Sequence, residues 1–503
     1  MALGPTLLDL SWYLLLLFLP VTSFPFLSKL FGETLVAPLS FIPVIIIFLL
    51  WWIPSFLKNK KGLPHQLKPL FLFILFGVIS TLIAFYRPIP SFRDIPWLRN
   101  AAEFFVTIAF GICFYLVTIF VIKDVKKLQK TILWISIGGI ILILYSWIQF
   151  GSWLMVEKFP TWLQAVQSLV SANGKLYEQR ATGFALEPSW LAHQLNMIYI
   201  PLWLGLSVSR QSIFPFKIFK KIMIEDVLLL LGVITLFISF SRIGWITFII
   251  SAAYVVFRFA NKWIESLSEK RSSKDASYTS AKKFLFKTGI WTLLALALVG
   301  VLLIAGVILT KIDPRMENLF DIERFRQFGF LGWASRLGFA ERIIYWLAAF
   351  HVYQMFPLFG AGLGLPGYHF PATVPDFGSR LPEINKALFT QNFIPNAKNL
   401  WVRLLSETGI IGFALFISWL VVHWRDAVEI EKTATQPLIH AMGLIGKLII
   451  IAMIIEGFSL DTFGLPYYWI GLGLITASWF MKGHSEKATR VGENMVVNNP
   501  NNA

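Results

Sequence analysis

LVAPLSFIPVIIIFLLWWIPSFL, residues 35–57, carries no charged side chain, and it is one of several long apolar runs in this chain. Others occupy 101–122, 288–310 and 441–459. Each run has about the 20 residues that an α-helix needs to cross about 30 Å of hydrocarbon. The sequence therefore predicts an all-α polytopic membrane protein.

The composition agrees with this prediction. Of 503 residues, 56% are hydrophobic and 14% are charged, whereas soluble domains average about 45–50% and about 25%. The 20 Trp and 47 Phe suit lipid contact and the membrane interfaces. The N-terminus lacks the charged region and short apolar region of a signal peptide, so we expect its first span to be retained.

Charge distribution predicts the topology. The predicted spans are 6–28, 35–57, 69–86, 101–122, 131–150, 190–208, 226–240, 243–258, 288–310, 408–423, 441–459 and 464–481. The positive-inside rule places Lys-rich loops such as 123–130 and 259–287 in the cytoplasm. Twelve spans then put both termini in the cytoplasm and loops 151–189 and 311–397 outside. The transmembrane domain covers 1–484, and the polar tail 485–503 is predicted to be disordered.

The two sides differ in the kind of basic residue. By these spans the cytoplasmic side has 20 Lys and 5 Arg, and the outer side has 6 Lys and 12 Arg; Lys447 completes the total of 44. A guanidinium matches phosphate bidentately, whereas an ammonium acts as a point charge. The net charge of +16 is thus explained mostly by topology rather than by nucleic-acid binding. The outer arginines indicate a phosphorylated partner, although individual ones could pair with acids or lipid headgroups.

The outer loop 311–397 is long enough to be functional. In ERIIYWLAAFHVYQMF, residues 341–356, Ile343, Trp346, Leu347 and Phe350 recur at helical spacing, which predicts an amphipathic helix at the membrane surface. The following glycines, Gly360 to Gly367, end this helix and permit close backbone approach. No strand precedes them, so a nucleotide-binding loop is disfavoured.

The motif RATGFALEPS, residues 180–189, precedes the span 190–208. Pro188 fits a first helical turn, which places Glu187 at a helix N-terminus at the outer surface. Two interpretations remain open: Glu187 caps the helix, or it orients or deprotonates an acceptor hydroxyl. His193 could share the same cavity, but a single His on an apolar helix is more often hydrogen-bonded core.

The run 226–258 is about 50 Å long as one helix, too long for one crossing. A break at Ser241-Arg242 resolves this and places Arg242 near the outer surface. An ionisable residue flanked by apolar spans is a functional candidate, with snorkelling to headgroups as the alternative.

A third motif, NAKNLWVRLLSETGIIG, covers residues 396–412. Asn399, Arg403 and Glu407 lie on one helical stripe, which either forms a local ion pair or lines a polar site. Zinc-type spacing is absent and the outer histidines are scattered, so no metal is predicted. The only cysteine, Cys113, excludes an intramolecular disulfide.

In this order, the three motifs and the loop sequence PLFGAGLG, residues 357–364, resemble the O-antigen polymerase and O-antigen ligase superfamily of bacterial polysaccharide enzymes. The resemblance covers about 175–425. It implies a metal-independent, membrane-embedded glycosyltransferase of the bacterial inner membrane that needs no cofactor. Its donor would be a glycan linked to undecaprenyl pyrophosphate at the outer leaflet, and a chain-length regulator and a flippase would be candidate partners.

The resemblance also implies residue roles. The donor pyrophosphate would be bound by Arg180, Arg242, Arg336 and Arg342. Glu187 would orient or deprotonate the acceptor hydroxyl. The catalytic candidates are Glu187, Arg242 and Lys398; the binding candidates are Arg180, Arg336, Arg342, Asn399, Arg403 and Glu407. Lys398 stands where ligases usually have a His, and the Glu-Pro-Ser motif is commoner in polymerases, so we expect an O-antigen or exopolysaccharide polymerase. A ligase is the nearest alternative; a transporter is disfavoured because no internal repeat is visible.

Overall fold

The computed structural model describes residues 3–59, 63–215, 221–272, 280–312, 322–391 and 393–497. Its helices are α1 Leu3–Leu17, α2 Pro25–Leu30, α3 Phe41–Ile47, α4 Ile53–Asn59, α5 Leu67–Ala84, α6 Trp97–Val121, α7 Val125–Val156, α8 Thr161–Val170, α9 Pro188–Gln194, α10 Ile200–Ser209, α11 Ile224–Ile238, α12 Arg242–Ser272, α13 Ser280–Ile312, α14 Ile322–Arg336, α15 Ala340–Met355, α16 Phe370–Thr373, α17 Pro382–Phe389, α18 Leu400–Thr433, α19 Pro437–Glu456 and α20 Pro466–Val497. Single π-helical turns, Phe48–Trp52 and Leu195–Tyr199, join α3 to α4 and α9 to α10.

The predicted fold class is confirmed. Within the described ranges the structure has helices and no β-strand, and seven helices are long and apolar enough to cross a membrane. Every predicted span overlaps at least one helix, and the break between α11 and α12 falls at 239–241, as predicted. The second half of the first span is wrong, because α1 ends at Leu17 and Pro20 lies in the turn that follows. α20 continues to Val497, into the segment for which the sequence predicts disorder.

Among the described residues, the two largest apolar cores hold most of the helices together. The larger one fills the membrane bundle and contains four fully buried tryptophans, Trp12, Trp203, Trp419 and Trp469. The smaller one lies mostly in the outer loop, where Ile344 and Tyr345 of α15 pack with Tyr368 and with Ile384 of α17, and it extends to Ala84 of α5 and Ala101 of α6. The residues predicted for the amphipathic face of α15, such as Trp346 and Phe350, lie on its less buried side. The described part of the loop is therefore a folded cap with its own core, which we call the outer cap.

The helix ends predicted to face the cytoplasm share one side of the bundle. Gln66 donates to Asp426 (2.7 Å), and Lys482 pairs with Glu429. Lys447 pairs with Glu431 in the same region. A polar group in hydrocarbon must find a partner within the protein, and these acids find theirs on neighbouring helices.

The glycine-rich segment docks directly onto α18. This helix is interrupted at Gly409, where φ is 63°, and the backbone groups around the break bond to the segment instead. Ala361 N–H donates to the Ser406 carbonyl (2.8 Å), and Gly362 N–H donates to the Glu407 carbonyl (3.0 Å). A Cβ on Gly360, whose φ is +72°, would lie 2.3 Å from the Glu407 carbonyl carbon. The predicted close backbone approach is present, and it joins the outer cap to the membrane bundle.

Gly360→Ala should lower the free energy of unfolding by more than about 2 kcal/mol, because the methyl group meets backbone and the residue must keep a left-handed conformation. Gly151→Ala in α7 is the matched control, since no atom lies within 4 Å of a Cβ there; we expect no loss, or a gain of up to about 1 kcal/mol. Thermal unfolding of both variants in detergent measures the difference. Equal melting temperatures would contradict the docking described above.

Candidate active site

The first motif packs against the break between α11 and α12. Arg180 Nε donates to the Ser239 carbonyl (3.1 Å), and Ala181 N–H donates to the Ile238 carbonyl (2.9 Å). Since Arg242 begins α12 directly after this break, Arg180 and Arg242 flank the same turn. The first and second motifs, which are about 60 residues apart in sequence, thus adjoin each other.

Arg242 joins the membrane bundle to the outer cap. Its guanidinium donates to the Leu337 carbonyl and lies 4.5 Å from the centre of the Phe339 ring. Both partners belong to the segment that leads into α15. The side chain is half-buried and is directed toward the cap rather than extended alone into lipid, which disfavours simple snorkelling.

Arg342, in the first turn of α15, reaches the connection between α19 and α20. Its Nη1 donates to Ser459 Oγ (2.6 Å) and to the Ser459 carbonyl (3.3 Å). We call residues 457–461 the hub turn. The side chain of Arg336 lies outside the described residues, so its predicted role stays a prediction.

The third motif also binds the hub turn. Leu400 N–H donates to the Gly457 carbonyl (2.7 Å), and Lys398 N–H donates to Asp461 Oδ2 (2.9 Å). Arg403 Nη1 donates to the Asp461 carbonyl (2.6 Å). The hub turn therefore holds the outer cap and the start of α18 together.

A buried polar cluster immediately precedes the hub turn. Glu456, the last residue of α19, lies 2.5 Å from His193 Nδ1 through Oε2 and accepts from Asn196 Nδ2 through Oε1 (2.7 Å). Asn196 Nδ2 also donates to the Gly244 carbonyl of α12 (2.9 Å). His193 is hydrogen-bonded core, as the sequence favoured, but its partner is a carboxylate.

Glu187 occupies the N-cap position of α9, yet its side chain forms no capping hydrogen bond. It is half-buried and makes no hydrogen bond or ion pair with any described side chain. Tyr177 lies close by: burial raises the pKa of Tyr177, the Glu187 carboxylate raises it further, and the Arg180 guanidinium opposes the shift. Of the two interpretations, capping lacks the bond it requires, and the carboxylate lies in the same neighbourhood as Arg180.

The residues of the third motif are largely engaged within the protein. The Lys398 ammonium pairs with Glu383 and lies 4.6 Å from the centre of the Tyr345 ring. Asn399 is 1% exposed, and its Oδ1 accepts from Trp401 N–H (2.9 Å) as the N-cap of α18. The predicted stripe exists, but its first member, Asn399, serves as the N-cap of α18.

Arg403 and Glu407 form the local ion pair that the sequence allowed. Arg403 Nε donates to Glu407 Oε1 (2.9 Å); the Glu407 side chain is buried and the Arg403 side chain is half-buried. The same carboxylate oxygen accepts from Gly364 N–H (3.1 Å), whereas Glu407 Oε2 is buried with no hydrogen-bond partner among the described residues. This pair connects α18 to the glycine-rich segment.

Other polar features lie apart from the arginines. A surface cavity of about 530 Å³ is lined by His351, Gln354, Thr373 and Asp376 of the outer cap and shares no residue with the hub turn. Burial lowers the pKa of His369. No set of three His, Cys, Asp or Glu side chains in the described ranges could hold a metal ion; metal independence itself stays a prediction.

Sequence reasoning missed Glu456, Asn196, Ser459 and Asp461. A signal was available for Glu456, because an acid inside the apolar run 441–459 is costly and marks a functional candidate. The other three sit in ordinary surroundings, and nothing local in the sequence marks them.

Residues 227–417 match the family model described as O-Antigen ligase. No match is found among curated proteins. The family match confirms the predicted resemblance to the O-antigen polymerase and ligase superfamily. It includes Arg242, Arg342 and the third motif, and it excludes Glu187 and the hub turn.

The cap geometry predicts that Asn399→Ala destabilises the protein by about 1 kcal/mol, while Asn399→Ser, which keeps a capping oxygen, preserves the melting temperature. Because the Asn399 side chain is enclosed, we expect Asn399→Ser to preserve transferase activity as well. Thermal unfolding and an activity assay on both variants test this. Full stability with lost activity in Asn399→Ser would show that Asn399 binds substrate.

Proposed function

We propose that this membrane protein is a polysaccharide polymerase of the O-antigen or exopolysaccharide type. It would transfer a glycan from an undecaprenyl-pyrophosphate-linked donor to a lipid-linked acceptor at the outer leaflet of the bacterial inner membrane, with both termini in the cytoplasm. The family match supports a glycosyl-transferring enzyme. The observation that carries the proposal is the gathering of arginines from three sequence motifs around the hub turn and the adjoining break between α11 and α12.

These arginines suit a pyrophosphate. Arg342 is bound by the neutral Ser459 through Nη1 alone, and its other nitrogens make no hydrogen bond to the described residues. Arg180 and Arg242 are oriented by main-chain carbonyls. Guanidinium groups fixed in this way can stabilise the charge that develops on a departing pyrophosphate without reorganising during the reaction.

Glu187 is our candidate for the acceptor side. In the proposed step, the acceptor hydroxyl oxygen bonds to the anomeric carbon of the donor glycan while the bond from that carbon to the pyrophosphate oxygen breaks. Glu187 takes the hydroxyl proton, and undecaprenyl pyrophosphate leaves with the electron pair. A half-buried carboxylate that is not used in a cap is suited to this task.

Lys398 contributes less directly. Its ammonium is paired with Glu383, so it is a poor base and a partly compensated cation. We propose that it stabilises charge near the hub turn, while the outer cap limits the access of water that would hydrolyse the donor.

A ligase is the second candidate, and the matching family, O-Antigen ligase, favours it. The two reactions share a donor and differ in the acceptor. Lys398 in place of the ligase-type His and the Glu187-Pro188-Ser189 motif favour the polymerase. In cells lacking a polymerase, single repeat units should accumulate on the lipid carrier, whereas cells lacking a ligase should retain long polymer on it.

Arg242→Lys should remove most activity, on the order of 10²-fold, without reducing the amount of protein in the membrane, because a point charge does not replace a planar fork. Glu187→Gln should also remove most activity, because it removes the base while keeping the size of the side chain. Arg210→Lys and Glu178→Gln, at exposed positions, are the matched controls and should keep wild-type activity. Wild-type polymer yield in Arg242→Lys would mean that Arg242 only joins the bundle to the outer cap and does not act in catalysis.

The reaction product decides between the two candidates. Purified protein incubated with a defined lipid-linked repeat unit, and with no other acceptor, should yield a ladder of multiples when the products are separated by size. The physical reason is that a polymerase accepts a second lipid-linked repeat as the nucleophile. If no ladder forms, and preformed polymer instead moves to an added lipid A core, the protein is a ligase.

A further inference from the structure

α19 ends in a carboxylate that is sealed from solvent. Glu456 is 0% exposed and its partner His193 is 1% exposed. Both carboxylate oxygens are used, one toward His193 and one toward Asn196. A buried carboxylate is expensive to desolvate, and apolar residues of similar volume would often be as stable. Stability alone therefore gives little reason for an acid at this position.

The partners of Glu456 lead to the proposed catalytic groups. His193 lies in α9, the helix whose N-cap is Glu187. Asn196 also binds the Gly244 carbonyl, two residues after Arg242. One carboxylate thus fixes the helix that carries the candidate base against the helix that carries a candidate pyrophosphate ligand.

The backbone of Glu456 starts the hub turn. Its carbonyl accepts from Ser459 N–H and Leu460 N–H (2.8 Å each), which shapes the turn. Ser459 then binds Arg342, and Asp461 binds Arg403. A change in the position of Glu456 would therefore move Arg342 relative to Glu187, although neither contacts Glu456.

We propose that Glu456 is the positioning residue of the transferase site: held by His193 and Asn196, it sets the position of α9 and α12 relative to the hub turn. The identity of the catalytic groups that Glu456 positions rests on the proposed function. Neither Glu456 nor Asn196 lies within the matched family region, 227–417. Misplacing reacting groups by about 1 Å can cost on the order of 10²-fold in rate.

The chain offers a matched control at the opposite end of the same helices. Glu431 of α18 is also a buried acid, paired with Arg258 and with Lys447 of α19. Glu431→Gln removes one charge from a buried network, as Glu456→Gln does, but far from the hub turn. A general loss of stability would affect the two variants alike, whereas a loss of positioning would affect only Glu456→Gln.

The first measurement is amide hydrogen exchange, which needs no substrate. In Glu456→Gln, exchange at Lys398, Leu400 and residues 457–461 should rise at least about tenfold, because the Lys398 and Leu400 amides donate to that turn. Glu431→Gln should leave these amides at wild-type rates. Wild-type exchange in Glu456→Gln, or equal acceleration in both variants, overturns the proposal.

The second measurement separates kcat from KM in the assay with lipid-linked repeats, at a temperature where both variants stay folded. Glu456→Gln should lower kcat on the order of 10²-fold with KM for the donor within about twofold, and Glu431→Gln should match the wild type. Unchanged kcat in Glu456→Gln overturns the proposal. If the wild-type protein itself transfers no glycan, the proposed function fails, and the exchange data alone decide whether Glu456 holds the turn.

If Glu456→Gln does not accumulate, His193 provides the same test. His193→Asn keeps a donor near the Nδ1 position and should retain kcat within about threefold. His193→Ala removes the donor and should lower kcat on the order of 10²-fold, as expected for Glu456→Gln. Equal activity in these two variants overturns the proposal.

Discussion

The absence of water from the hydrocarbon core is the constraint on which the structure depends. Every polar group that enters the bundle must find a partner in the protein, so polar side chains collect where helices end. One collection joins Asp426, Glu429 and Glu431 to neighbouring helices. The other joins Glu456 and the hub turn to α9, α12 and α18. Chemistry that needs several charged groups in one place is thereby confined to the ends of the bundle.

The outer cap is attached because backbone N–H and C=O groups, like polar side chains, need hydrogen-bond partners within the protein. The break at Gly409 releases main-chain groups of α18, and a helix interrupted in this way needs substitute partners. The glycine-rich segment supplies them, and Ser80 adds a hydrogen bond to the Glu407 carbonyl (3.0 Å). Only glycine at positions 360 and 409 allows the glycine-rich segment and α18 to approach this closely. The glycines are therefore explained by docking, without a nucleotide.

The sequence predicted what depends on composition and length. The spans followed from hydropathy, and the break before Arg242 followed from a run too long for one crossing. The apolar span was predicted to begin at 408, because Asn399, Arg403 and Glu407 lower the local hydropathy, whereas α18 begins at Leu400. The helical spacing of those three residues did predict the extra turns. The cap role of Asn399 was recognisable, since Asn directly before a helix is a common N-cap. The pairing of Glu456 with His193, 263 positions apart, depends on tertiary packing and has no local signature.

The arginines of the outer side differ in what holds them, and this bears on what they can bind. Arg403 lies against a carboxylate, Glu407, so its charge is largely compensated and its place in the fold is explained by that pair. Arg342 is held by the hydroxyl and carbonyl of Ser459, which orient the guanidinium and leave its charge in place. An anion gains most from a cation that is fixed but not neutralised. Arg342 is therefore a stronger candidate for the pyrophosphate than Arg403, although both bind the same turn.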